Sequence, residues 1–153
     1  MMPDRMDSLL RWVYWIAVIA VLFTGFGNMP LYGRYYVADI PGLAWAKDFF
    51  INVQVHYAAG ALLLALAGYH LVSAAFRRQT GPHLTKSGRL RALLLAMALG
   101  SGLILALRNL PGVSFPMGWS LGLNFFHMGW AMFFMLISLM CLAVRWKWTR
   151  AAG

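Results

Sequence analysis

Phe49–Phe76, FFINVQVHYAAGALLLALAGYHLVSAAF, runs without a single charged side chain, and its reading decides the fold. At ~1.5 Å of rise per residue, one helix of this length crosses a hydrocarbon core of ~30 Å. Two histidines stand inside it, His56 and His70, fourteen positions apart. Fourteen steps of ~100° return to within ~40° of the starting face and climb ~21 Å. The two imidazoles therefore share one helix face at two membrane depths. A third, His127, lies in another apolar stretch further along.

Working outward, 61% of the 153 residues are hydrophobic, 11% are charged, and glutamate is absent. That balance belongs to an integral membrane protein. Apolar segments of spanning length also run from Trp12 to about Gly27, from about Leu90 to Leu107, and from about Met117 to Val144. The expectation is one all-α domain over residues 1–153, a four-helix up-and-down bundle with helices near 9–27, 49–76, 90–107 and 117–145. Arg5 and Arg11 precede the first apolar run in the manner of a signal peptide, but Asn28, Met29 and Pro30 follow it where small cleavage-site residues belong, so it reads as a retained helix.

Lysine and arginine set the orientation. Arg77, Arg78, Lys86, Arg89 and Arg91 crowd one short loop, and Arg145, Lys147 and Arg150 follow the fourth span. Both segments belong on the cytoplasmic side, and an even number of spans puts the N-terminus there too. Positive-inside bias accounts for most of the net charge of +9, so no nucleic-acid partner is expected. The outer segments are then about 28–48 and 108–116, the first rich in Tyr, Trp, Pro and Gly. That composition suits either a headgroup-level aromatic belt with a short interfacial helix or a docking surface. No repeat of 20–50 residues stands out. The single cysteine, Cys141, forms no intramolecular disulfide and no zinc or iron–sulfur framework.

An imidazole inside a bilayer faces the bundle interior, where it bonds a neighbouring helix, relays protons or binds metal. In an up-and-down bundle the second and fourth helices both run inward from the outer face. His56 lies about seven residues into one and His127 about ten into the other, a matched depth that suits the two axial nitrogens of a haem. His70 lies nearer the cytoplasmic end with no intramembrane histidine opposite it.

At these residues the chain resembles the cytochrome b, or gamma, subunit of respiratory formate dehydrogenases and its relatives among hydrogenase and b561-type four-helix cytochromes. The resemblance spans the whole length. It is carried by Arg11 to Trp15, by the Thr24–Gly27 exit TGFG, by VHYAAG around His56, by SGLILALRNLPG ending the third helix, and by FFHMGW around His127. It implies that the outer haem b is held by His56 and His127. It also implies an inner haem whose ligand positions here read Tyr14 and Cys141, so the inner haem is either lost or rebuilt around His70. His83, Met140 or a residue of another subunit is then the candidate partner. One haem is the expectation and a second the alternative.

Haem propionates need cations at the outer surface; Arg108, Arg34 and Lys47 are available, Arg108 foremost because it ends the third helix. Ala59, Gly60, Gly100, Gly102 and Gly129 are candidates for close porphyrin or helix approach. There is no nucleotide-binding glycine motif and no soluble domain, so electrons must be exchanged with something else. The resemblance implies a membrane-embedded cytochrome that passes electrons between a periplasmic iron–sulfur or multihaem subunit, attached to a catalytic oxidoreductase subunit, and quinone in the bacterial inner membrane. Two rival classes stay open: a haem-free anchor or assembly subunit, and a small proton-conducting or transport bundle. The latter calls for an intramembrane acid or a broken-helix pair, and neither is evident.

Overall fold

In the computed structural model the described residues are 3–29, 39–76 and 83–150. Four long helices carry most of them: α1 Pro3–Gly27, α2 Phe49–Phe76, α3 Lys86–Arg108 and α4 Met117–Ala143. All four are long and apolar enough to cross a membrane. Two residues on each side, β1 His83–Leu84 and β2 Thr149–Arg150, add a small antiparallel ladder. The chain divides into two compact units, Met1–Val72 and Ser73–Gly153.

Large apolar side chains point outward along every span; Phe76 is 88% exposed, Met117 87% and Leu71 74%. In water such a surface would aggregate, whereas acyl chains solvate it. With lipid outside as apolar as the interior, helix association rests on close packing and on interhelical hydrogen bonds of roughly 0.6 kcal/mol each, about 1.7 at most. The buried polar side chains, Thr24, Asn52, Arg91 and Ser101, are therefore the residues to follow.

In the first unit, Asp48 caps α2: its Oδ1 accepts from the backbone N–H of Phe50 at 2.9 Å and of Ile51 at 3.1 Å. A carboxylate suits the positive end of the helix dipole. Before this span comes a 3-10 turn, Ala44–Lys47, with Ala46 buried and the Trp45 ring 5.8 Å from Phe23 of α1.

In the second unit, α3 begins at Lys86, a turn before its apolar run. Thr85 caps it, accepting from Gly88 N–H at 2.9 Å, so the charges at Lys86 and Arg89 extend the helix out of the apolar zone. At the far end of the unit, α4 stops two residues short of the expected boundary. Trp146 N–H donates to Cys141 O at 2.8 Å and Arg145 N–H to Leu142 O at 3.1 Å. This is a Schellman stop, with Arg145 at φ 58° in the left-handed position glycine usually fills.

The segment after α4 then hooks back onto the start of α3. Thr85 N–H donates to Trp148 O at 3.0 Å, and Thr85 Oγ1 donates to Lys147 O at 2.7 Å. Gly88 lets the Trp148 carbonyl approach where a Cβ would collide with it. Arg91, counted above as a topology charge, is only 4% exposed. Its guanidinium donates to Trp146 O at 3.2 Å and lies 4.3 Å from the centre of the Trp148 ring.

Candidate functional site

Thr24 is the hub of the first unit. It is fully buried in the last turns of α1, and its hydroxyl donates to Ala20 O at 2.6 Å. A hydroxyl has one proton, and a carbonyl can only accept. With that proton committed, Thr24 Oγ1 acts as acceptor toward His56 Nδ1, 3.0 Å away on α2. His56 Nδ1 thus carries the ring hydrogen, and Nε2 is the lone-pair nitrogen. One turn earlier on α2, Asn52 donates from Nδ2 to Thr24 O at 2.9 Å and to Asn28 Oδ1 at 2.8 Å. Asn52 is 1% exposed, and its Oδ1 has no hydrogen-bond partner among the described residues. Gly27 is required opposite it, since a Cβ there would sit 2.8 Å from Nδ2.

The second unit repeats the arrangement with different residues. Ser101, 4% exposed on α3, donates its hydroxyl proton to Met97 O at 2.7 Å and stands 3.1 Å from His127 Nδ1 on α4. His127 Nδ1 also lies 3.0 Å from Ala98 O, which can only accept. Both contacts put the ring hydrogen on Nδ1 and the lone pair on Nε2. A glycine follows each hydroxyl, and at Gly102 its missing side chain is what makes room for the ring. An added Cβ would meet His56 Cε1 at 3.5 Å from Gly25, and His127 Cε1 at 2.9 Å from Gly102.

The remaining sequence candidates fall as follows. Gly60, a turn beyond His56 on the same face, has open space where a Cβ would be, as do Gly100 and Gly129. Gly102 is instead taken up by the His127 ring, and Ala59 is buried. Arg108 is half-buried in the last turn of α3, where a cation suits the helix dipole. His70 is exposed on α2, with its ring edge-on to Tyr69 at 5.5 Å. His83 is exposed in β1, and Cys141 is buried with a free thiol. Arg34, and with it Tyr32, Tyr35 and Tyr36, lies outside the described residues.

Among the described residues no three His, Cys, Asp or Glu side chains gather as a metal cage. A cofactor that carries its own metal and asks the chain for axial nitrogens alone is compatible with this inventory. The donor chemistry fits haem, because metal-binding imidazoles characteristically donate from the other ring nitrogen to a neighbouring group. Where the end of α3 meets the start of α4, an apolar groove of about 730 Å³ lies between Ile104, Phe115, Trp119 and Phe126, with Gly118 and Gly122 along it. Its walls offer a hydrocarbon chain contact and no polar anchor. No family model, curated protein or solved structure matches this chain.

Asn52, Thr24 and Ser101 were missed as site residues in the sequence, although each is a polar side chain in a predominantly apolar run. The dipeptides Thr24–Gly25 and Ser101–Gly102, each one helix ahead of a histidine, were the available signal.

Proposed function

We propose that this chain is the membrane-embedded b-type cytochrome subunit of a respiratory oxidoreductase complex. It exchanges electrons between a periplasmic iron–sulfur or multihaem subunit, itself attached to a catalytic subunit, and the quinone pool of a bacterial inner membrane. The four spans form an up-and-down bundle with both termini cytoplasmic.

The observation that carries this reading is the shared setting of His56 and His127. Two intramembrane imidazoles, in two separate units, each hold their Nδ1 edge against the preceding helix, so that Nε2 is the nitrogen that would coordinate a haem iron. When bound, haem b supplies a one-electron Fe(III)/Fe(II) couple. The chain's own work is to hold the two imidazoles in one tautomer, to surround them with apolar side chains that exclude water, and to offer outer-side cations, Arg108 and Arg34, to the propionates. Gly60 leaves space along the face that carries His56.

The haem-free anchor is the second reading, since interhelical hydrogen bonds of this kind also serve as structural glue. A reduced-minus-oxidised spectrum of the protein purified in mild detergent separates the two. The cytochrome reading expects a low-spin b-type signal that His56→Ala and His127→Ala each abolish. No haem in the purified protein and its co-purified complex, or a bis-histidine signal kept by both variants, sinks the assignment.

A further inference from the structure

We propose that Thr24 and Ser101 are positioning residues for His56 and His127, two copies of one device that fixes the tautomer of each imidazole and sets its strength as a ligand. The ligand part of the proposal rests on the cytochrome reading above; the tautomer part does not.

In each case the hydroxyl proton is drawn to a carbonyl of its own helix. Thr24 Oγ1 lies 2.6 Å from Ala20 O, and Ser101 Oγ lies 2.7 Å from Met97 O; both are donations to the carbonyl four residues back in the same helix. These are the shortest contacts of the two hydroxyls, so the proton is held there and a lone pair faces the histidine. A serine or threonine that bonds back in this way ordinarily yields a neutral or slightly bent helix and nothing more. Here the oxygen so oriented meets Nδ1 of the next helix at 3.0 Å in one unit and 3.1 Å in the other.

A glycine follows the hydroxyl in both cases and lies against Cε1, the ring carbon between the two nitrogens. The hydroxyl holds each ring by its Nδ1 edge and leaves the direction of Nε2 as the consequence, with Gly102 the tighter of the two approaches to a ring. The correspondence is chemical rather than a sequence repeat: the flanking residues differ, and the spacing from hydroxyl to histidine is 32 in one unit and 26 in the other.

Donation from Nδ1–H into an acceptor makes the imidazole a more basic ligand. A more basic axial nitrogen favours the ferric state, so removing the acceptor should raise the reduction potential and weaken the bond to iron. Loss of such supporting contacts typically lowers metal affinity by about 10- to 100-fold. Thr24→Val removes the hydroxyl while keeping the shape, and Thr24→Ser keeps the hydroxyl; Ser101→Ala and Ser101→Thr are the matching pair.

The test uses the full chain in nanodiscs. Nitrogen-15 NMR of labelled histidines in the haem-free protein reads the tautomer, and haem titration with redox potentiometry reads the ligand. We expect both wild-type rings as the Nδ1–H tautomer, with mixed tautomers at His56 alone in Thr24→Val. Haem affinity should be about tenfold lower or worse, with a raised potential, and Thr24→Ser should match wild type. Ser101→Ala should act on His127 in the same direction, with Ala98 O still accepting, and Ser101→Thr should restore it.

An Nε2–H tautomer in the wild type, or a Thr24→Val protein with unaltered tautomer, affinity and potential, overturns the proposal. If haem binds through His56 and His127 while all four variants are silent, the positioning role fails and the cytochrome reading survives. If no haem binds but Thr24→Val scrambles the His56 tautomer, the cytochrome reading fails and the positioning role stands.

Discussion

Replacing Gly102 with alanine is the sharpest perturbation of the site, because its twin is built into the same chain. An ideal Cβ at Gly102 lies 2.9 Å from His127 Cε1, whereas ordinary contact begins at 3.4 Å, so the ring must retreat by about half an ångström. The ring is held by Nδ1 contacts of 3.0 and 3.1 Å. A retreat along those directions takes both to the limit of a useful hydrogen bond. Overpacking of this kind costs about 1–3 kcal/mol, and the helix gains back about 1 kcal/mol from exchanging Gly for Ala. Gly102→Ala is thus expected to be destabilised by roughly 0–2 kcal/mol. At Gly25 the added methyl meets His56 Cε1 at 3.5 Å, an ordinary contact. Gly25→Ala should therefore be neutral or stabilised by up to about 1 kcal/mol. Unfolding of both variants in mixed micelles by denaturing detergent measures the difference, and the haem spectrum reports on ligand geometry. Equal stabilities with unchanged spectra would refute the reasoning, since the two glycines would then not differ in their closeness to a ring.

Four further outcomes follow from the same structure. Asn52→Ala removes the donor to Thr24 O and Asn28 Oδ1, and should destabilise the α1–α2 pair by about 1 kcal/mol at roughly 0.6 kcal/mol per bond, read by the same detergent titration. Arg91→Ala should release the hook after α4: hydrogen exchange at the Thr85 amide speeds up while amides in the middle of α4 keep their protection, and unchanged exchange at Thr85 contradicts it. Pyridine haemochrome analysis should give close to one haem per chain, unaffected by His70→Ala; two haems per chain, one of them lost in His70→Ala, identifies a rebuilt inner site. Alanine or charge-reversal changes at Arg34, Tyr35, Tyr36 and Lys47 should slow haem reduction by the partner without altering the spectrum, and coupling lost only through Arg89 and Arg91 places the partner on the opposite face.

The four spans were legible because a bilayer imposes a minimum length on any apolar helix, and charge-free runs such as Phe49–Phe76 announce it directly. His56 and His127 were legible for the complementary reason, that an imidazole in such a run is out of place. Their hydrogen-bond partners were not legible. Which neighbour Thr24, Asn52 or Ser101 meets depends on the rotation of two helices about their own axes, and a nearly uniform apolar surface leaves no stripe from which to read that rotation. Helix ends were legible less well: α1 begins at Pro3, six residues before the expected start, Thr85 starts α3 among charges that mark the edge of the membrane but not the end of a helix, and Arg145 stops α4 where glycine would have given the signal. Counting Arg91 as a topology charge missed its fold onto Trp148, a pairing that spans most of the second unit in sequence.

The hook also orders events in time. Residues 146–150 emerge from the ribosome after all four spans have been made, yet their backbone carbonyls accept from Thr85 and Arg91 and complete the first turns of α3. Until then the opening turn of the third helix lacks these partners, and released chains truncated before Trp146 should show that turn more accessible to protease than the full chain does. Helix formation and clasping are thus separable, and a nonsense change just past α4 would keep all four long helices while removing the carbonyls that clasp the start of α3.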